Sequence, residues 1–377
     1  MRPMSSWLSS VARLAAAVEE GVDLALYGAR DRLGGRLPPR VVAYRGYGTA
    51  ERVSVVGRVV RDEPLPATAE NATLWDNLLA SYRRFETDEV PGALLRVRTA
   101  GGERTVSADE EGYFTCDLPP GDLDPAAGEW HSAQVELLAP REAGATAVAV
   151  APVLVPVPTA AFGIISDIDD TVVRTDATQF LRMARTVFLG NARTRLPFPG
   201  VAAFYRALRS GTTGADGNPI FYVSSSPWNF YELLVELFEL QGVPLGPIML
   251  RDWGVTPDEL LPIGHGPHKL TAIRRILATY PALSFILVGD SGQEDPEIYA
   301  SIIREFPQRI LAAYIRSVTR DERRVAAVRA LSDAMVRDHA PLVLTDDTLA
   351  AARHAAASGW IPQSAIAAVQ GEKRNDE

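Results

Sequence analysis

Four separated places in this sequence hold residue types that could share one reaction. Asp167-Ile168-Asp169-Asp170-Thr171 sets three carboxylates within four positions. Ser224-Ser225-Ser226 runs into Pro227-Trp228-Asn229, Lys269 follows Gly264-His265-Gly266-Pro267-His268, and Asp290 and Asp295 lie in a loop with Gly289 and Gly292. Crowded carboxylates repel one another unless a cation neutralises them. Hard oxygen donors without a cysteine cage point to Mg2+. Hydroxyls and free backbone N–H groups before a helix suit an anion such as phosphate. A lysine at a helix start opposes the helix dipole, and bound phosphate would compensate for it. The chemistry these groups could perform together is phosphoryl transfer. Asp167 would attack phosphorus, and Asp169 would protonate the leaving alkoxide and then deprotonate water. Mg2+ would bridge Asp167, the backbone carbonyl of Asp169 and Asp290, while Lys269 and Ser224 hold the phosphoryl oxygens.

Each motif alone has a plainer reading. The first is an acidic turn capping a helix through Asp170 or Thr171. Ser226-Pro227 is a good helix start, and the Asp290–Asp295 stretch is an acidic loop. His265 and His268 lack a third nitrogen or sulfur ligand nearby. The basic residues add one clue: of 38, only Lys269 and Lys373 are lysine, the rest arginine. A coding bias that spared Lys269 suggests a use for its compact ammonium.

The elements that must position these groups follow from periodicity. Beyond residue 157, short apolar runs alternate with helical patterns. The runs are Phe162 to Ile165, Ile220 to Val223, Ile248 to Leu250, Phe285 to Val288 and Ile310 to Ile315. The helices are Val201 to Leu208, Phe230 to Leu240, Lys269 to Thr279 and Glu297 to Phe306. Such alternation predicts an α/β fold with a Rossmann-like parallel sheet, whose reactive site lies at the carboxyl ends of the strands. Every motif above follows such a run or opens such a helix.

The rest of the chain reads differently. Residues 1–40 form a helical leader with Trp7, Leu8, Val11, Leu14 and Val18 on one face. It docks on the body or lies on a membrane surface, and Arg13 with Glu19-Glu20 argues against a cleaved secretory signal. Residues 41–157 alternate β-rich runs with turns, predicting an antiparallel β-sandwich-like domain with a hairpin turn at Gly101-Gly102 and a short helix around Thr73 to Phe85. Asp62, Glu63 and Asp109 to Glu111 there read as solvated turns. Residues 158–345 make the α/β domain, and 346–377 a C-terminal helical tail.

Whole-chain composition excludes several classes. Of 377 residues, 47% are hydrophobic and 23% charged, which is globular composition. A net charge of −9 argues against a whole-chain grip on nucleic acid. The single cysteine, Cys116, excludes an internal disulfide and a cysteine-cage zinc site. No apolar run reaches the roughly 18–20 residues that span a bilayer, so no transmembrane segment is expected.

The motifs in this order resemble the haloacid dehalogenase superfamily. Tyr222-Val-Ser-Ser-Ser-Pro-Trp-Asn229 and Gly289-Asp-Ser-Gly-Gln-Glu-Asp-Pro-Glu-Ile-Tyr299 further resemble the catalytic domain of actin-patch-protein-type phosphatidate phosphatases. The resemblance covers about residues 40–320 and implies a haloacid dehalogenase-like fold. It makes Asp167 the nucleophile, Asp169 the acid/base, Ser224 and Lys269 the phosphate ligands and Asp290 the magnesium acid. Asp295 becomes an auxiliary acid, with Thr171 beside it in the supporting shell. Which of Ser224, Ser225 and Ser226 meets phosphate is left open, with strand register favouring Ser224.

The implied activity is Mg2+-dependent hydrolysis of phosphatidate to diacylglycerol and phosphate. The insertion from Val172 to Pro197 has room for one helix, about Ala177 to Leu189, and a small cap leaves the mouth open to a phospholipid at a membrane surface. Arg174, Arg182, Arg185, Arg193 and Arg195 in it could meet an anionic interface. Two alternatives stand: a phosphomonoesterase for another substrate, such as a phosphoprotein or nucleic-acid end, and a weakly active phosphate- or lipid-binding module. The expected location is the cytoplasm, with the leader a candidate for peripheral attachment at the inner membrane surface.

Overall fold

The computed structural model describes residues 37–61, 88–122, 124–142, 145, 147–169, 171–172, 198–251, 266–319, 321–337 and 342–376. Residues 1–36 of the leader, the helix expected at 73–85, the insertion at 172–197 beyond Val172, Asp170 and His265 lie outside them, while the end of the expected leader, Arg40, opens a strand.

The β-rich part contains β1 (Arg40–Ala43), β2 (Gly46–Gly48), β3 (Val53–Arg61), β4 (Asp88–Glu89), β5 (Leu94–Thr99), β6 (Gly102–Ser107), β7 (Tyr113–Leu118), β8 (Trp130–Ala139) and β9 (Val148–Leu154). These nine join in one hydrogen-bonded network ordered β1-β3-β2-β9-β8-β5-β6, with β4 and β7 also on β3. Within the expected antiparallel β-sandwich-like domain the pairing is antiparallel except that β2 pairs with β9 in parallel, and β3 carries four partners, β1, β2, β4 and β7. Alternate residues of β3, β5, β7, β8 and β9, among them Val55, Val97, Cys116, Val135 and Ala151, meet in one core. The β5–β6 turn falls at Ala100-Gly101, because Thr99 pairs with Gly102. This is one residue earlier than the glycine pair suggested. Asp109 is a turn residue as expected, its Oδ1 accepting from the backbone N–H groups of Glu111 and Tyr113.

The second part is a six-stranded parallel sheet. Its strands are β10 (Gly163–Asp167), β11 (Ile220–Pro227), β12 (Ile248–Arg251), β13 (Phe285–Asp290), β14 (Ile310–Arg316) and β15 (Leu342–Thr345). Their order is β12-β11-β10-β13-β14-β15. Helices α1 (Val201–Ser210), α2 (Tyr231–Leu240), α3 (Gly266–Thr279), α4 (Asp295–Glu305), α5 (Glu322–Arg337), α6 (Thr348–Ala357) and α7 (Ala365–Asp376) complete the described elements. Strand period two sorts the side chains. Ile164, Tyr222, Ile286 and Tyr314 face α1, α2, α6 and α7, whereas Ile165, Phe221, Leu287 and Ile315 face α3, α4 and α5. Burial on both faces explains the near-continuous apolar runs.

Strand β15 escaped the sequence reading because Leu342–Thr345 is short and only half buried along its middle. The C-terminal helices are also more than a tail. Val369 and Ile361 are buried in the same core as α1. The Glu372 carboxylate accepts from Ala203 N (2.7 Å) and Arg206 (2.7 Å). It supplies the anion that the α1 N-terminus lacks, since the residue before that helix is Gly200. Lys373 pairs with Asp347 at 2.8 Å.

Candidate active site

Strand β10 leaves Asp167 at its carboxyl end, with β11 on one side and β13 on the other. The chain runs outward from β10 through β11 to β12, then returns to β13 on the opposite flank. The reversal opens a crevice at the strand ends, the general place for ligands in such sheets. Asp290 ends β13, and Asp295 is the first residue of α4. The exposures of Asp167, Asp290, Asp295 and Lys269 are 1%, 0%, 0% and 2%.

Lys269 reaches from the first turn of α3 to lie 2.7 Å from Asp167 Oδ1 and 2.7 Å from Asp295 Oδ1. Among the described residues Asp167 Oδ2 has no hydrogen-bond partner. Asp290 Oδ1 accepts from the N–H groups of Gly292 (2.5 Å) and Gln293 (3.2 Å), which fixes its turn. Gly289 makes room for Asp295: a Cβ there would sit 2.5 Å from Asp295 Oδ2. Such an approach needs glycine.

One carboxylate oxygen from each of Asp167, Asp290 and Asp295 falls within 4.8 Å of the others. Ligand oxygens about 3–4.2 Å apart would suit an octahedral ion with bonds of about 2.1 Å. Three carboxylates are buried together, and Lys269 contacts two of them, Asp167 and Asp295. Burial, then Asp295, pushes the Asp167 carboxyl well above the usual range, with Asp169 and Asp290 adding to it and Lys269 opposing. Burial alone would lower the Lys269 ammonium, but Asp167 and Asp295 outweigh it and raise its pKa. The unpartnered oxygen and the all-oxygen donor set fit Mg2+.

Asp169 faces the other flank. Ser224 Oγ donates to its Oδ2 at 2.6 Å, and Ser226 Oγ lies 3.2 and 3.3 Å from its two oxygens. Ser224 Oγ also accepts from Ser226 N at 2.9 Å. The sequence leaves Ser224, Ser225 and Ser226 open with register favouring Ser224, and its plainer reading of Ser226 as a helix cap is not what the structure shows, since the short helix after Pro227 has no side-chain cap. Period two along β11 was the available signal, since residues 224 and 226 share one side. The side chains of Asp167, Lys269, Asp290 and Asp295 thus meet, and Asp169 and Ser224 form an adjoining pair. Thr171 is fully buried, and its carbonyl accepts from Arg316 at 2.9 Å. Among the described residues the carboxylates that converge for a metal include Asp295 and not the side chain of Asp169. His268 joins no such group, and burial lowers its imidazole pKa.

Residues 162–317 match the family model for the catalytic domain of phosphatidate phosphatase APP1. The chain is 37% identical over 155 residues to phosphatidate phosphatase APP1 of Saccharomyces cerevisiae, covering 41% of this chain and 25% of that one. It is 32% identical over 163 residues to an uncharacterized protein of Schizosaccharomyces pombe, covering 42% and 25%. The chain therefore spans about a quarter of the length of these curated relatives. A carbohydrate acetylesterase from Xanthomonas citri aligns at a TM-score of 0.29 and 12% identity, over 78% of this chain and 65% of that one, a likeness that carries no argument. The matched segment contains the ends of β10, β11 and β13 and the first turns of α3 and α4, and so every residue of the cluster described above.

Proposed function

We propose that this chain is a Mg2+-dependent phosphatase that hydrolyses phosphatidate to diacylglycerol and phosphate, on a haloacid dehalogenase-type sheet. The observation that supports it is the cluster of Asp167, Asp290, Asp295 and Lys269 inside the segment that matches the family. Bound Mg2+ would be held by the three carboxylates, neutralising their charge and polarising the phosphoryl group.

Asp167 is the nucleophile. Its Oδ2 forms a bond to phosphorus as the bond from phosphorus to the glycerol oxygen breaks. Asp169 gives its proton to that leaving oxygen. It then takes a proton from the water that attacks the aspartyl phosphate, which releases phosphate and restores both carboxyl groups. Ser224 and Ser226 orient Asp169 through the hydrogen bonds described above, and Ser224, next to the Asp167 strand end, also faces the phosphoryl oxygens. Lys269 holds Asp167 in place and offsets charge on the transferring group. Asp295 fixes Lys269. The substrate lies in a bilayer, so turnover takes place at a membrane surface. No helix of the described residues is long and apolar enough to cross one.

The test is phosphate release with and without Mg2+ from phosphatidate in detergent micelles, p-nitrophenyl phosphate and a phosphopeptide panel. Metal-dependent release that favours phosphatidate is expected. Preference for a phosphopeptide would transfer the reading to another phosphomonoester, and no release from any would favour a binding module. Asp167→Asn is expected to reduce kcat by about 10^4 or more while circular dichroism stays unchanged. Near-wild-type turnover would remove Asp167 as nucleophile.

A further inference from the structure

We infer that Tyr44, which lies outside the matched catalytic segment, is a positioning residue for Asp169. The inference rests on the acid/base role given to Asp169 above. Regular pairing between β10 and β11 ends at Asp167 and Val223, and the β11–β12 ladder is irregular between Val223 and Pro227. The serines that hold Asp169 therefore project past the regular ladder. Their near anchor is Trp228, separated from Ser226 by Pro227 alone, whose φ is −70°. A proline ring fixes that angle, so the indole and Ser226 are joined by a stiff link.

Tyr44 holds the indole. Its ring stacks on Trp228 with centroids 4.6 Å apart and planes 8° from parallel, while Tyr113 and Tyr231 lie 6.2 and 6.1 Å from Trp228. Tyr44 is itself buried, and its N–H donates to Val56 O at 2.9 Å, which ties it to β3. The adjoining residues clasp the same junction. Arg45 N donates to Tyr231 Oη at 2.6 Å, and Arg40 pairs with Glu232 at 3.0 Å. The segment from Arg40 to Arg45 thus sets the place of the Trp228–Tyr231 turn, and through Pro227 that of Ser226 and Asp169. The β-rich part completes the site by this route.

The experiment compares the full chain with Tyr44→Leu, which keeps apolar bulk and loses the stack, and Tyr44→Phe, which keeps the ring. With Mg2+ and p-nitrophenyl phosphate, Tyr44→Leu is expected to lower kcat about tenfold with KM within about twofold, and Tyr44→Phe to restore kcat. A role in stability alone would lower Tm and leave kcat within twofold, which would overturn the inference. Should Tyr44→Leu fail to fold, Trp228→Phe replaces it, with a smaller fall in kcat expected and an unchanged kcat overturning. A crystal structure of the variant gives a readout independent of turnover. Separation of Ser226 Oγ from Asp169 by more than about 0.5 Å beyond the wild-type distance supports the inference, and an unchanged distance overturns it. If the wild-type chain releases no phosphate from any substrate, the phosphatase reading fails while this distance still decides the inference.

Discussion

At Asp167 the cost and the use of the site coincide. A buried carboxylate among like charges disfavours its ionised form, yet that form is the one that can attack phosphorus or bind a cation. Its folded-state pKa lies above the unfolded value, so ionised Asp167 destabilises the metal-free fold, and this cost fades as pH falls through the raised pKa. Lys269 shifts upward as well. The stability it contributes is fully present below its ordinary pKa and is lost only as pH rises through the higher folded value. Below the ordinary lysine range the pH dependence described here therefore comes from Asp167. Mg2+ is expected to raise Tm by about 5 °C near neutral pH, and this increment should shrink as pH falls through the raised pKa of Asp167, where protons compete with the cation. Thermal scans with Mg2+ and with EDTA check both, and a Tm indifferent to Mg2+ would sink the metal assignment. Asp167→Asn removes one repelling charge, so its Tm in EDTA is expected to equal or exceed that of the parent. Lys269→Met takes the ammonium away from buried Asp167 and Asp295 and is expected to cost about 3–5 kcal/mol, measurable by urea unfolding.

At the scale of elements, position in the sheet does what no single side chain could. Asp167 and Asp290 end adjacent parallel strands, and Lys269 and Asp295 stand in the first turns of α3 and α4. Carboxyl ends of parallel strands and the first turns of the helices that follow lie on one side of the sheet, which brings residues more than a hundred positions apart into contact. A distant contact holds the first turn of α1 as well. Glu372 on α7 caps α1, and Glu372→Ala is expected to lower stability by about 1 kcal/mol, read by urea midpoint at unchanged slope. An unchanged midpoint would show that α1 needs no such cap.

The whole molecule joins two sheets through aromatic contacts. Tyr47 packs edge-on against Phe221 and beside Tyr280, Tyr44 covers Trp228, and Arg209 pairs with Glu129. Burying a large apolar side chain contributes about 1.5–3 kcal/mol, so this joint is a sizeable share of ordinary domain stability. A chain beginning at residue 158 is expected to aggregate or to melt well below the full chain, as measured by size-exclusion chromatography and thermal scans. An equally stable, monodisperse fragment would show that the α/β part stands alone.

The sequence by itself determined the parallel sheet and the identity of its acids, because fully buried strands leave continuous apolar runs and because three carboxylates in four residues have few peaceful uses. Period two on β11 would also have singled out Ser226 beside Ser224. Only the tertiary structure decided that Asp295 joins Asp167 and Lys269 at 2.7 Å contacts, that Asp169 turns toward the serines, that β15 and α7 belong to the α/β layer, and that Tyr44 stacks on Trp228. Apolar and charged patterns report the environment of each residue along its own element. The partner that fills that environment is chosen by packing between elements far apart in the chain, and no local pattern records it.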